Sequence, residues 1–206
     1  MEKFFKLWKG NNYIGGIFLL AEAHICGECS CEVCEKCKDE NCINGHIRLI
    51  NEHIDTGGVQ TYSRFEKEFT GASLNTKEKR EYFWHGFIFT NFLSVAMPES
   101  GEAPDAQYYS DEARERFLAL LSQYKPKYVL VWGERTFSSL PGDSKNGMWE
   151  KVTFNAPNDQ FDYWWLNFDG LKIKVLQIYH PAWIGMSNAD FEKTAKRNKI
   201  FLKDEV

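Results

Sequence analysis

Four short stretches of the chain carry nearly unbroken apolar, β-branched or aromatic side chains: GGIFLLAEA at 15–23, GFIFTNFLSV at 86–95, YVLVWG at 128–133 and IKVLQIYHP at 173–181. A strand with one wet face alternates apolar and polar positions; these do not, which predicts strands covered on both faces. Helical spacing lies between them. In SDEARERFLALLSQY (110–124), Ala113, Phe117, Leu120, Leu121 and Tyr124 recur on one face, Ser110 stands at the cap position, and Asp111 and Glu112 favour the positive end of the helix dipole. Lys125 and Pro126 end that helix. Gly133 supplies a tight turn after the third apolar run, and ERTFSSL begins a short helix that Pro141 and Gly142 stop. Residues 141–170, rich in Gly, Asn and Asp around YWWLNF, read as a long excursion or a small hairpin. The order strand, Cys-rich loop, helices, strand, helix, strand, helix, strand, terminal helix predicts an α/β fold, a three-layer α/β/α sandwich around a central, mainly parallel four-stranded sheet. A length of 206 residues suits one domain spanning 1–206, with a Cys-rich insertion at 26–42.

Composition narrows the setting. No apolar run approaches the roughly 18–20 residues of a spanning helix, and the first residues lack an apolar stretch followed by a small-residue cleavage site, so a cytoplasmic protein with no membrane partner is expected. A formal net charge of −4 argues against a surface that is basic throughout. Lys and Arg nevertheless gather at 75–80, 125–127, 172–174 and 193–203. A local basic face is enough for phosphate contacts, although solvated helix faces and loops account for such runs equally. The aromatic share of 16% exceeds what a core alone asks for and leaves rings to line a pocket.

All six cysteines, Cys26, Cys29, Cys31, Cys34, Cys37 and Cys42, follow the first apolar run in the pattern C-x2-C-x-C-x2-C-x2-C-x4-C. In a reducing compartment clustered thiols read as metal ligands rather than disulfides. The short spacings suit a structural tetrahedral zinc site. An iron–sulfur cluster and unmetallated thiols are the alternatives. A metal-stapled loop here would sit over a pocket at the end of the first strand.

That end matters because parallel strands deliver their carboxyl-terminal residues to one edge, where open α/β sheets bind ligands. The first run delivers Glu22, Ala23 and His24, the second Thr90, Asn91 and Phe92, and the last His180, Pro181 and Ala182. An amide reads a base edge with donor and acceptor together, an imidazole stabilises a developing anion, and a carboxylate orients a water or a cation.

With AEAHICG (21–27), FTNFLSV (89–95), YHPAWIG (179–185) and the spacer YKPKYVLVWGERTFSSLP in this order, the chain resembles the uracil-DNA glycosylase superfamily over roughly residues 15–190. The resemblance implies a DNA glycosylase that hydrolyses the N-glycosidic bond of uracil or another modified base, leaving an abasic site, in repair or in defence against bacteriophage DNA. DNA is the implied partner, and a monomer is expected. Asn91 would read the base, His180 would stabilise the departing base and Glu22 would position water. Ala23, His24, Ile25, Asn91 and Phe92 would line the base pocket. Pro181, Ala182, Trp183 and Ile184 would meet the DNA, with Trp183, Ile184 and Met186 as wedge candidates. The sequence departs from the superfamily pattern at Ala21 for Gly, His24 for Pro and Ala182 for Ser. Ala23 also fills the slot that is acidic in the best-known branch, so Glu22, matching a branch with a GEAP motif, takes that role. A non-catalytic nucleic-acid-binding module on the same scaffold is the competing expectation. A zinc deaminase needs His-x-Glu followed by Pro-Cys-x-x-Cys, whereas here Glu22 precedes His24 and no Pro precedes the cysteines.

Overall fold

In the computed structural model, which describes residues 6–14, 16–25, 45–97, 103–142, 148–156, 159–182 and 185–203, the four apolar runs become β2 (Ile17–Ala21), β4 (Phe87–Asn91), β6 (Tyr128–Trp132) and β9 (Leu171–Ile178). They lie side by side in the order β4-β2-β6-β9, all parallel, as their two-sided burial requires. The expected four-stranded sheet is nevertheless too small: the sheet has seven strands and is mixed. β1 (Trp8–Lys9) adds antiparallel to β4, and β8 (Asp159–Phe168) and β7 (Trp149–Ala156) add antiparallel beyond β9.

The physical reason lies in the 141–170 segment. Phe168 and Leu171 are joined through Asp169 and Gly170, at φ +50° and +73°, the left-handed pair that a two-residue hairpin turn with the right twist demands. Phe161 and Tyr163 are buried while Gln160 and Asp162 are more exposed, so β8 alternates as an antiparallel strand does. A separate parallel pair links β3 (His24–Ile25) to β5 (Ala96–Met97).

Helices cover both faces. Leu19, Ala21, Phe87, Phe89, Leu130, Trp132, Leu176 and Ile178 share one core with residues of α1 (Gly45–Thr56), α2 (Gln60–Thr70), α3 (Lys77–Trp84) and α6 (Asn188–Phe201). Phe18, Leu20, Ile88, Val129, Val131 and Val175 share the other with Ala113, Phe117 and Leu121 of α4 (Asp111–Tyr124). Ser110 caps α4 by accepting from the Ala113 N–H, and Lys125 closes it in the left-handed region. Glu66 lies in the first core within a hydrogen-bond network. Glu66 Oε1 accepts from Trp84 Nε1 at 2.9 Å and pairs with His53 Nε2 at 2.8 Å, while His53 Nδ1 accepts from the Val59 N–H at 3.3 Å. These bonds tie α1, α2 and α3 together and satisfy polar atoms that would otherwise be costly to bury.

Candidate functional site

The register of the parallel strands fixes what meets at their carboxyl ends. Asn91 lies opposite Ala21, Leu20 opposite Val131 and Trp132 opposite Ile178. Asn91, Ala21, Trp132 and Ile178 therefore form one row across four strands, with the small Ala21 between two large polar-tipped neighbours. The Phe92 and Leu93 N–H groups donate to the carbonyls of Ala21 and Glu22 at 2.7 and 2.8 Å, locking the two chain exits together.

Glu22 follows β2 directly, and its side chain is only 13% exposed. Arg135 of α5 (Glu134–Ser138) donates Nε and Nη2 to Oε1 and Oε2 of this carboxylate, and Tyr109 donates its hydroxyl to Oε1 at 2.5 Å. Burial pushes the Glu22 carboxyl up, but the hydrogen bonds from Arg135 and Tyr109 and the charges of Arg135 and His180 outweigh it, leaving the group below the usual carboxylate range. Burial, then the hydrogen bond to Glu22 and its charge, push the Tyr109 hydroxyl up, against a smaller opposing effect of Arg135. α5 is aimed by Gly133, at φ +84°, where a side chain would be strained; its N–H donates to the Ile178 carbonyl at 2.9 Å and fastens the exit of β6 to that of β9.

His180 stands just past β9. Its Nδ1 accepts from the Ala182 N–H at 3.1 Å, so in the neutral ring the proton sits on Nε2. Burial lowers its pKa, the Glu22 charge opposes that and Arg135 adds to it; the balance keeps the imidazole neutral at pH 7. The ring meets Trp132 edge to face at 5.9 Å. Arg64 Nη1 donates to the Ala182 carbonyl at 3.3 Å and steadies the turn.

Asn91 is 2% exposed, and its Nδ2 has no hydrogen-bond partner among the described residues. Its carbonyl, with that of Phe92, accepts from Arg116 Nη2 at 2.6 Å, so α4 fixes the backbone that carries the amide. Trp132 Nε1, in the same row, is also buried without a partner among the described residues. Two N–H donors thus stand unsatisfied on one face at the sheet edge.

Other expected residues fall elsewhere. Phe92 lies on the other face: alternation along β4 sets it with Ile88, and its ring is buried in the opposite core, 6.3 Å from Phe117. Ala23 packs against that core. His24 is buried against Gly45, its pKa pushed down to about 4 by burial and the charge of Arg48. His46, beside it, is pushed down to about 3 by burial and by the charge of His24. Ile25 is placed by its pairing with Met97. Pro181 is buried, and Ala182 and Met186 are partly buried. The six cysteines and the wedge candidates Trp183 and Ile184 lie outside the described residues. Among the described residues no group of three or more His, Cys, Asp or Glu is arranged to hold a metal ion, and no helix is long and apolar enough to cross a membrane. Arg135, Tyr109, Arg116 and Trp132 complete a cluster that sequence patterns did not single out. No family model matches the chain, and no curated protein matches it.

Proposed function

We propose that the protein is a DNA glycosylase that releases uracil or another modified base at the edge formed by β2, β4, β6 and β9. One observation carries the reading: the buried Nδ2 of Asn91, without a partner among the described residues, in the same face and row as Trp132 Nε1, which likewise has none among them. Leaving a donor buried and unpaired costs about 1–3 kcal/mol, which a ligand offering carbonyl acceptors would restore. Cleaving an N-glycosidic bond puts negative charge on the departing base and positive charge on the sugar. A neutral His180 carrying its proton on Nε2 is a donor suited to the first. Glu22 answers the second. Its Oε1 already accepts two bonds and its Oε2 one, so a free lone pair on Oε2 remains to orient a water while the carboxylate stays ionised. Because the attacked centre is a cation, water needs placement more than a strong base. The structural zinc expected on the cysteines stays part of this reading, and metal analysis of protein purified without chelator tests it, with about one equivalent expected.

A second reading is a nucleic-acid-binding module without catalysis, favoured by the bidentate hold of Arg135 on Glu22, which compensates the carboxylate's charge. Incubation with DNAs each carrying one altered base, followed by alkali and strand sizing, separates the two. Strand scission after alkali is expected for at least one substrate; binding without any abasic product across the panel would leave the module.

A further inference from the structure

A cavity of about 280 Å3 lies between β8, β9 and α6, apart from the Glu22–His180 cluster. Strand geometry makes it. β8 pairs with β9 only from Phe168 back to Trp164, opposite Val175, yet stays with β7 as far as Asp159, while β9 continues along β6 to Ile178. The two strands part, and α6 closes the wedge. Arg197 of α6 grips Asp159 through Nε and Nη2 at 3.0 and 2.7 Å and donates from Nη2 to the Gln160 carbonyl at 3.1 Å, fixing the tip of the hairpin.

The lining specifies a chemistry. Arg197 is bound to Asp159, which Lys193 also meets at 3.6 Å, and Asp162 is paired with Lys151 at 2.7 Å, so each charged side chain lining the space already has an ionic partner and a ligand without charge of its own fits. Phe161, Trp164 and Tyr179 line it, Phe161 beneath the Arg197 guanidinium at 5.8 Å, Trp164 against Phe137 at 4.5 Å and Tyr179 with its ring half exposed, together with the amide residues Gln160, Gln177 and Asn198. Asn198 is 1% exposed; its Nδ2 donates to the Glu68 carbonyl at 3.2 Å, and its Oδ1 has no partner among the described residues. A ligand N–H or O–H would satisfy that acceptor. The exposed Tyr179 ring with amide edges beside ion-paired charges matches a nucleobase, which has a flat face and both donors and acceptors on its rim. Tyr179, 50% exposed, directly precedes His180 and joins the cavity to the cluster at the strand ends.

We infer that this cavity binds the nucleoside neighbouring the one whose base is released, through aromatic contact and the Asn198 and Gln177 amides. The ligand class stands on the cavity; its place on the DNA strand rests on the glycosylase reading. Titration of the full chain with thymidine, deoxycytidine, deoxyadenosine and deoxyguanosine, followed by tryptophan fluorescence and calorimetry, tests the first. Saturable binding of at least one nucleoside is expected, weakened about tenfold or more by Gln177→Ala and by Asn198→Leu, and kept in Asn91→Ala and His180→Ala. Absence of saturation, or weakening by Asn91→Ala without weakening by Gln177→Ala, overturns it. Base release from duplexes differing only in the nucleotide beside the target tests the second: Gln177→Ala, on the partly exposed wall, should abolish the wild-type preference among them, and an unchanged preference overturns that placement. Nucleoside binding without base release from any altered-base DNA would retain the ligand class and remove the glycosylase reading.

Discussion

Arg135 holds both carboxylate oxygens of Glu22, and it does so from the first turn of a helix that begins two residues after β6 ends at the buried Trp132. With the Tyr109 hydroxyl on the same oxygen as Nε, the carboxylate has a fixed orientation before any ligand arrives. Arg135→Gln tests what that hold does. Burial alone would raise the Glu22 pKa, so removing the guanidinium should lift it above its present depressed value. A group with a depressed folded pKa contributes stability above its unfolded value near 4.5 and loses it as pH falls through the folded value. The variant should therefore be less stable near neutral pH and lose less on acidification, because its folded pKa no longer lies as far below the unfolded value, while the acid limb of base release should move up in pH. Single-turnover base release against pH, alongside thermal melts, checks both shifts; an unmoved acid limb would mean that Glu22 takes no part in the chemistry.

Asn91 separates function from folding. Its Nδ2 is a buried donor without a partner among the described residues, so Asn91→Leu removes a polar group of nearly the same size that those residues leave unpaired. Chemical denaturation should show the variant as stable as the wild type or more stable by about 1 kcal/mol. Base release should be lost. Wild-type activity in a well-folded Asn91→Leu protein would remove the amide from the pocket.

Arg116 is expected to behave in the opposite way. Its Nη2 serves the carbonyls of Asn91 and Phe92, so Arg116→Met leaves two acceptors without their donor and lets the strand exit drift. A loss of about 1–3 kcal/mol is expected in denaturant titrations, with base release reduced even where the protein remains folded.

Two buried histidines set an acid limit. His24 and His46 have pKa values pushed from 6.5 down to about 4 and about 3. The unfolded chain takes up their protons first, so stability is full above pH 6.5 and falls as pH drops through the folded values, by roughly 1.4 kcal/mol per pH unit for each histidine within its window. Melting temperatures between pH 7 and pH 3 should show the decline, and His46→Phe should flatten it.

Much of the scaffold was legible because its cause is local. Strands buried on both faces must be continuously apolar, and the four such runs are the four parallel strands; Ser110 announced its helix because a cap is a property of neighbouring residues. β7 and β8 were harder to read. Their partly wet antiparallel face mixes Lys151, Thr153 and Asp162 with rings, and adjacent Trp164 and Trp165 blur the alternation. The Asp169–Gly170 pair was the available signal. At the site, Glu22, Asn91 and His180 stood out as polar residues ending apolar strands. Tyr109 and Arg135 did not, because they reach Glu22 from 87 and 113 residues away and no spacing encodes that meeting. Phe92 follows the alternation of its own strand, which sets Ile88 and Phe92 on the face opposite Phe87, Phe89 and Asn91.

The hydrogen bond from the Ala182 N–H to His180 Nδ1 leads to the narrowest test. It needs no side chain at position 182, only a backbone donor, and proline is the residue that lacks one. Ala182→Pro keeps the imidazole and its burial but frees Nδ1, so the neutral ring can place its proton on either nitrogen. If His180 acts by donating from Nε2 to the departing base, a mixed tautomer population should slow base release by about tenfold or more, since only part of the protein presents the donor. DNA binding should change much less. Nitrogen NMR of labelled His180 reads the cause directly: the wild type should show Nδ1 bare and Nε2 protonated, and the proline variant a mixture. A slowed variant that keeps the wild-type tautomer would point to a displaced backbone instead, and a variant with mixed tautomers but undiminished base release would take His180 out of the role of donor.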